Sequence, residues 1–254
     1  DSGALATLGT IAGGTAVTVR TAQIDLTGEL RAPTVTISAR TPQAGIQLGG
    51  SGAGQTLSLS DAEMGRINAD TAVFDGGTGT VTIDTLNLGA NTGRNRIDIL
   101  TTGDVSVIGT VSSGGAGRTF RIGGSQGSDA DLAQTIRIVA TAEGGGRLLL
   151  GDADVELRGA RIGLGNSGLT DTLFAGDGLT AAEAAALIAD SNSALYSALV
   201  GGSPFVPGRD TVLSAGRLTV RFSEFALFQN TGPRGLNTGV VLGEFKQYRF
   251  LNLS

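Results

Sequence analysis

An all-β solenoid, a parallel β-helix with a short helical insertion, is the fold class this sequence predicts. Three observations carry it. Short apolar-polar-apolar triplets recur along the whole chain. Glycine supplies 42 of the 254 residues and proline only 5. Aromatic residues make up 4%, so the interior must be built from Val, Ile, Leu and Ala. Glycine at more than twice its usual share of about 7%, without a collagen triplet, describes a chain of many tight corners. An apolar content of 40% argues against a disordered chain.

The triplets come first. They include Val17-Thr18-Val19, Ile24-Asp25-Leu26, Val35-Thr36-Ile37, Leu57-Ser58-Leu59, Val81-Thr82-Ile83 and Leu86-Asn87-Leu88. Further along come Ile97-Asp98-Ile99, Val105-Ser106-Val107, Phe120-Arg121-Ile122, Ile136-Arg137-Ile138, Val155-Glu156-Leu157 and Ile162-Gly163-Leu164. Alternation of period two marks a strand with one buried face. Such units are shorter than the strands of about five or six residues that build a sandwich. Several come in pairs, as over 17–26 and 155–164. Leading triplets begin at 17, 35, 57, 81, 105, 120, 136 and 155, which predicts coils of about 20 residues with two or three strands each. An antiparallel barrel or sandwich is the competing architecture. Asn-Gly hairpin signals are absent and Asp-Gly is rare, which weighs against it.

The segments between the triplets follow in order. Gly49 to Gly54 and Gly123 to Gly127 are glycine-rich but precede neither a Lys-Ser/Thr pair nor a long helix, so they read as corners rather than phosphate loops. Ser60-Asp61-Ala62-Glu63 is a capping box, with one helical turn expected up to Ile67. Thr180 and Glu183 form a second box, opening an Ala-rich helix to about Asp190 and a further turn over 193–199. Leu187, Ile188, Leu195 and Leu199 would face the rod. Residues 169–203 thus read as a helical excursion packed on the rod, either a cover or a binding element, between β-helix coils at 1–168 and 204–254. Six of the nine Phe lie beyond Pro204. Phe250 and Leu251 close the chain in apolar sequence, so one continuous domain belonging to a longer protein is expected.

Composition removes several chemistries. Without Cys or His, zinc, haem, iron–sulfur and blue-copper sites have almost no ligands, and Ser-His-Asp or Cys-His catalysis cannot be assembled within the chain. A net charge of −5 and a pI near 4.8 disfavour nucleic acid and anionic lipid as partners. No apolar run reaches the roughly 18 residues of a membrane span. The absence of Cys fits an exported protein that does without disulfides.

No catalytic or cofactor-binding residues are predicted. Asp152, Asp154 and Glu156 alternate on one strand face and offer oxygen ligands for Ca²⁺; the alternative is a solvated face offset by Arg158. Asp75, Asp84, Asp98 and Asp104 lie near successive strands, where an acidic column would suit a polysaccharide lyase or hydrolase. With no Trp and only Tyr196 and Tyr248, there is little to stack a sugar on. Outward Thr18, Thr36 and Thr82 suggest a threonine array, for which the coil spacing is uneven. Outward Arg20, Arg121 and Arg137 would suit acidic or sulfated glycans, or be scattered surface charge.

A resemblance then adds to this reading. The stretch Leu48-Gly49-Gly50 through Leu57-Ser58-Leu59-Ser60-Asp61-Ala62-Glu63-Met64-Gly65-Arg66-Ile67, with Thr80-Val81-Thr82-Ile83 after it, resembles the repeat regions of filamentous-haemagglutinin-like exoproteins of Gram-negative bacteria. There an LSDAEL-type turn separates runs of short strands. Phe225-Ala226-Leu227-Phe228-Gln229-Asn230-Thr231-Gly232 and Gly239-Val240-Val241-Leu242-Gly243 are similar to the same family. The resemblance implies a right-handed parallel β-helix (solenoid), secreted or held at the cell surface, often through a partner outer-membrane transporter. It implies action in adhesion, aggregation, biofilm contacts or contact-dependent competition, without catalysis or cofactor. The family's Asn-Pro-Asn-Gly secretion motif does not occur here, so the transporter would belong to a longer parent. The expectation is a non-catalytic extracellular adhesin or fibre segment whose partners are a cell-surface glycan or protein and neighbouring coils. A ligand-free self-assembling filament and a β-helix polysaccharide lyase or hydrolase are the alternatives.

Overall fold

A computed structural model describes residues 5–50, 57–88, 95–113, 118–124, 131–138, 147–150, 153–164, 173–176, 211–214, 217–222, 224–227, 240–242 and 247–252. The described strands fall into eight passes. The first comprises β1 (Leu5–Leu8), β2 (Ile11–Ala12) and β3 (Ala16–Thr21), and the second β4 (Gln23–Leu26), β5 (Leu30–Arg31) and β6 (Thr34–Ala39). The third holds β7 (Ile46–Leu48), β8 (Leu57–Leu59), α1 (Asp61–Gly65), β9 (Ile67–Asn68) and β10 (Thr71–Asp75). The fourth is β11 (Val81–Ile83), β12 (Leu86–Asn87) and β13 (Arg96–Leu100); the fifth β14 (Asp104–Val107), β15 (Thr110–Ser112) and β16 (Thr119–Ile122). Then follow β17 (Ala133–Ile138), β18 (Arg147–Leu149) and β19 (Asp154–Leu164), and after them β20 (Leu173–Gly176), β21 (Thr211–Ser214) and β22 (Arg217–Phe222). The last pass is β23 (Glu224–Leu227), β24 (Val240–Leu242) and β25 (Gln247–Asn252).

Strands from successive passes lie side by side. One ladder runs β3-β6-β10-β13-β16-β19-β22-β25, a second β8-β7-β11-β14-β17-β19-β23, and a third β12-β15-β18-β21-β20-β24. Shorter ladders, β2-β5-β9 and β1-β4, begin the stack. All these pairings are parallel; among the described residues only the isolated bridge Thr101–Gly124 is antiparallel. Parallel neighbours need a long crossover, usually a helix. Here the crossover is made of the other strands of the pass, except at β7–β8 and β20–β21, which are consecutive along the chain and pair directly, and the architecture is mostly parallel β in the manner of a β-helix.

Alternation within the triplets up to Val155-Glu156-Leu157 directs apolar residues inward, where they stack in columns. Val35, Ala72, Ile97, Phe120 and Val155 hold one register position of the first ladder, and Ile37, Phe74, Ile99, Ile122 and Leu157 the next inward one. Opposite them stand Ile46, Val81, Val105 and Ile136, with Leu48, Ile83, Val107 and Ile138. All are buried in a single cluster. Phe74 and Phe120 are its largest side chains.

Two expectations are corrected. The coil of about 20 residues is not what the leading triplets mark, because those at 57, 81, 105 and 136 belong to the second ladder and those at 17, 35, 120 and 155 to the first. Within the first ladder Val17, Val35, Ala72, Ile97, Phe120, Val155, Leu218 and Tyr248 share one register position. The steps between them are uneven: the chain from Val155 to Leu218 is more than three times as long as that from Val17 to Val35. The triplets at 155 and 162 are likewise not two strands. They are the halves of β19, whose first half pairs with β16 and β22 and whose second half pairs with β17 and β23. Within the expected helical excursion, 173–176 form a strand; the capping box at Thr180 and the helix after it lie outside the described residues.

Glycine marks the corners where successive passes touch. Gly45, Gly79 and Gly103 stack on one another, and a Cβ added at Gly103 would stand 2.6 Å from the Gly79 carbonyl oxygen. Gly45 also has φ +72°, a conformation side-chain-bearing residues rarely take. Thr101 closes the same corner: its hydroxyl donates to the Gly79 carbonyl at 2.6 Å and accepts from the Gly103 N–H at 2.8 Å.

Candidate functional site

The register of the first ladder decides which outward side chains meet. Val73, Asp98, Arg121 and Glu156 occupy one outward position on successive strands. Arg96, two residues before Asp98 on the same strand face, donates from Nε to both carboxylate oxygens of Asp98 at 2.8 and 3.0 Å. Arg121 Nε donates to Glu156 Oε2 at 3.2 Å, and Arg158 Nε stands 3.8 Å from Glu156 Oε1. Asp98 is only 2% exposed, Arg121 and Glu156 just under a fifth. The hydrogen bond to Asp98 raises the Arg96 pKa, against the opposing effect of desolvation. Alternating charge on a partly dry surface binds strands of different passes together, and its carboxylates are already committed to guanidinium partners.

The predicted candidates fall out differently on this frame. Asp154 and Glu156 do alternate on β19, with Asp154 opposite Thr119 and Glu156 opposite Arg121; Asp152 lies outside the described residues. Among the described residues no three His, Cys, Asp or Glu side chains are grouped to hold a metal ion. The four aspartates do not form a column. Asp75 stands opposite Ser38 and Leu100, Asp98 opposite Val73 and Arg121, and Asp104 opposite Thr135 on the second ladder. Asp84 follows β11 at a corner, where its carboxylate takes the Thr85 N–H. A two-residue offset, or a different ladder, separates each from the others. Thr18 and Thr36 are neighbours, but Val73 follows them, and Thr82 sits between Gln47 and Ser106 on the second ladder. Arg20 and Arg137 are outward and exposed, Arg121 outward and paired.

Helix α1 has a role beyond its own turn. Ser60 caps it, with its hydroxyl accepting from the Glu63 N–H and its own N–H donating to Glu63 Oε2 at 2.8 Å. The other Glu63 oxygen accepts the Leu26 N–H from the pass below at 2.9 Å, and Arg66 Nη1 donates to the Leu26 carbonyl at 2.6 Å. Asp61 Oδ1 takes the Asn87 N–H from the pass above at 2.6 Å. Met64 is wholly buried. The turn stands where β2-β5-β9 stops and the ladder beginning at β12 starts, and its side chains supply the hydrogen bonds that a neighbouring strand would otherwise give.

A concave feature that sequence reasoning missed lies at the corner joining β2-β5-β9 to β3-β6-β10. Ala12, Gly13, Arg31, Ala32, Pro33, Asn68, Ala69 and Asp70 line an open groove of about 520 Å³. Small residues recur just before β3, β6 and β10, so the corner is cut back on three successive passes. The available signal was that recurrence of Gly13, Ala32 and Ala69, visible only once the register is known: Ala12, Arg31 and Asn68 align across the passes. The Asn68 amide is fixed by donating to Glu29 Oε1 at 2.7 Å.

At a later corner Arg118 is buried, donating to the Leu88 carbonyl at 2.8 Å and to Ser113 Oγ at 2.9 Å, and burial lowers its pKa. Among the described residues no helix is long and apolar enough to cross a membrane. Comparison with protein-family models, with curated proteins and with solved structures found no match.

Proposed function

We propose that this chain is a non-catalytic, exported segment of a right-handed β-helical adhesin or surface fibre. One observation carries the reading. Register of the first ladder is held across its eight strands while the length of chain between register partners varies more than threefold, within that ladder shortest from Val17 to Val35 and longest from Val155 to Leu218. A scaffold that tolerates such variation in its connections fixes their bases and leaves their length free, which suits a shaft that presents variable segments. The likeness of Leu48 to Ile67 and of Phe225 to Gly243 to filamentous-haemagglutinin-like repeats supports the same reading, with secretion and surface location as its corollaries.

A glycan array probed with the labelled chain at physiological salt, with and without Ca²⁺, tests it. Saturable binding to one glycan class is the expected result. A dependence on Ca²⁺ that the substitution Asp154→Asn abolishes would assign the Asp152, Asp154 and Glu156 face a metal-binding role; one that survives it would place the ion elsewhere. Deleting 177–203, which spares β20, then asks whether the longest connection holds the ligand. A flat array overturns the adhesin reading in favour of a ligand-free filament, and cleavage of any acidic polysaccharide would sink the non-catalytic one.

A further inference from the structure

We infer that the corner groove of the first three passes is a binding site for a carboxylate-bearing oligosaccharide, a uronate chain of low charge density. This deepens the adhesin reading and rests on it. The groove's volume of about 520 Å³ falls within the roughly 300–1,000 Å³ of small-ligand clefts. Its floor is Gly13, Ala32, Pro33 and Ala69, whose short side chains leave space for a bulky ring.

Arg31 and Asp70 supply the recognition chemistry. Both line the groove and are exposed, and among the described residues neither side chain has a hydrogen-bond or ion-pair partner. They differ in this from Arg96, Arg121 and Arg158, each of which stands by a carboxylate. A free guanidinium presents two parallel N–H groups that match a carboxylate. A free carboxylate accepts from hydroxyls. Asp70 lies two residues beyond Asn68, the register partner of Arg31, so the acid-binding and hydroxyl-binding groups sit on adjacent passes along one groove. A uronate sugar carries both complements on one ring. A densely sulfated chain does not fit, because Asp70 and the nearby Glu29 would repel its extra anionic groups.

Isothermal titration of the full chain with a short oligogalacturonate tests the assignment, with a neutral and a highly sulfated oligosaccharide of similar length as comparisons. Saturable binding of the galacturonate in preference to both is expected. Arg31→Ala should weaken it about tenfold or more, and Asp70→Asn by a smaller factor. Ala12→Trp, at an exposed position on the groove wall, should block it without touching either charged group. Arg20→Ala, outward on β3 and outside the groove, should bind as the parent does. The melting curve of each variant shows whether it folds.

Galacturonate binding that survives both Arg31→Ala and Ala12→Trp overturns the groove assignment. So does preference for the sulfated chain. If binding is instead lost on deleting 177–203, or only neutral glycans bind, the groove is refuted while the adhesin reading stands. If no glycan of any class binds, both fall together.

Discussion

Gly103 shows how one residue is constrained by a pass of chain it does not belong to. An added methyl would stand 2.6 Å from the carbonyl oxygens of both Gly79 and Thr78, and neither backbone can retreat without moving the pass below. Gly103→Ala is therefore expected to cost about 1–3 kcal/mol, read as a lower denaturation midpoint. Gly14 provides the contrast, since a Cβ there meets nothing within 4 Å. Gly14→Ala should be neutral or stabilise by up to about 1 kcal/mol, through the less flexible unfolded chain. Equal losses at the two sites would show that the glycine corner is not close-packed.

Among the elements, α1 carries the clearest test. Its capping box is legible in Ser60 and Glu63, and the one-turn helix starts where the sequence places it but ends at Gly65, with Ile67 already in β9. The sequence does not tell that Glu63 also serves Leu26, 37 residues away, or that Asp61 serves Asn87. Glu63→Ala removes the acceptor for the Leu26 N–H, the Ser60 N–H and the Ser60 hydroxyl together. A loss of about 2–3 kcal/mol is expected, more than the ~1 kcal/mol of an ordinary helix cap. Glu63→Gln keeps one acceptor oxygen and should lose less. Denaturant titration checks both, and a Glu63→Ala cost no larger than a simple cap would separate the turn from the neighbouring passes.

At the scale of the whole molecule, ladder register and connection length behave independently. Lengthening the 51–56 connection by a few Gly-Ser residues is expected to cost less than about 1 kcal/mol, since closure entropy grows only slowly with loop length. Deleting Asp98 from β13 removes a single residue but reverses the faces on one side of the deletion, sending either Ile97 or Ile99 outward. Cooperative unfolding should survive the insertion and be lost or strongly shifted by the deletion, as followed by circular dichroism. The same independence explains why the expected coil of about 20 residues does not describe the ladders: spacing along the chain carries no information about which strands lie side by side.

By itself the sequence determined the short strands, the alternation of their faces, the glycine-rich corners and the first capping box. Each is encoded within a few consecutive residues, by period-two alternation or by a local side-chain-to-backbone hydrogen bond. Only the tertiary structure decided lateral partners: that 155 and 162 share one strand, that Asp75, Asp84, Asp98 and Asp104 are not a column, that Arg121 meets Glu156, and that Gly13, Ala32 and Ala69 cut one groove. Those neighbours are brought together by hydrogen bonds between passes that can lie as far apart in the chain as Val155 and Leu218, and nothing local to either partner records which residue the next pass will set beside it.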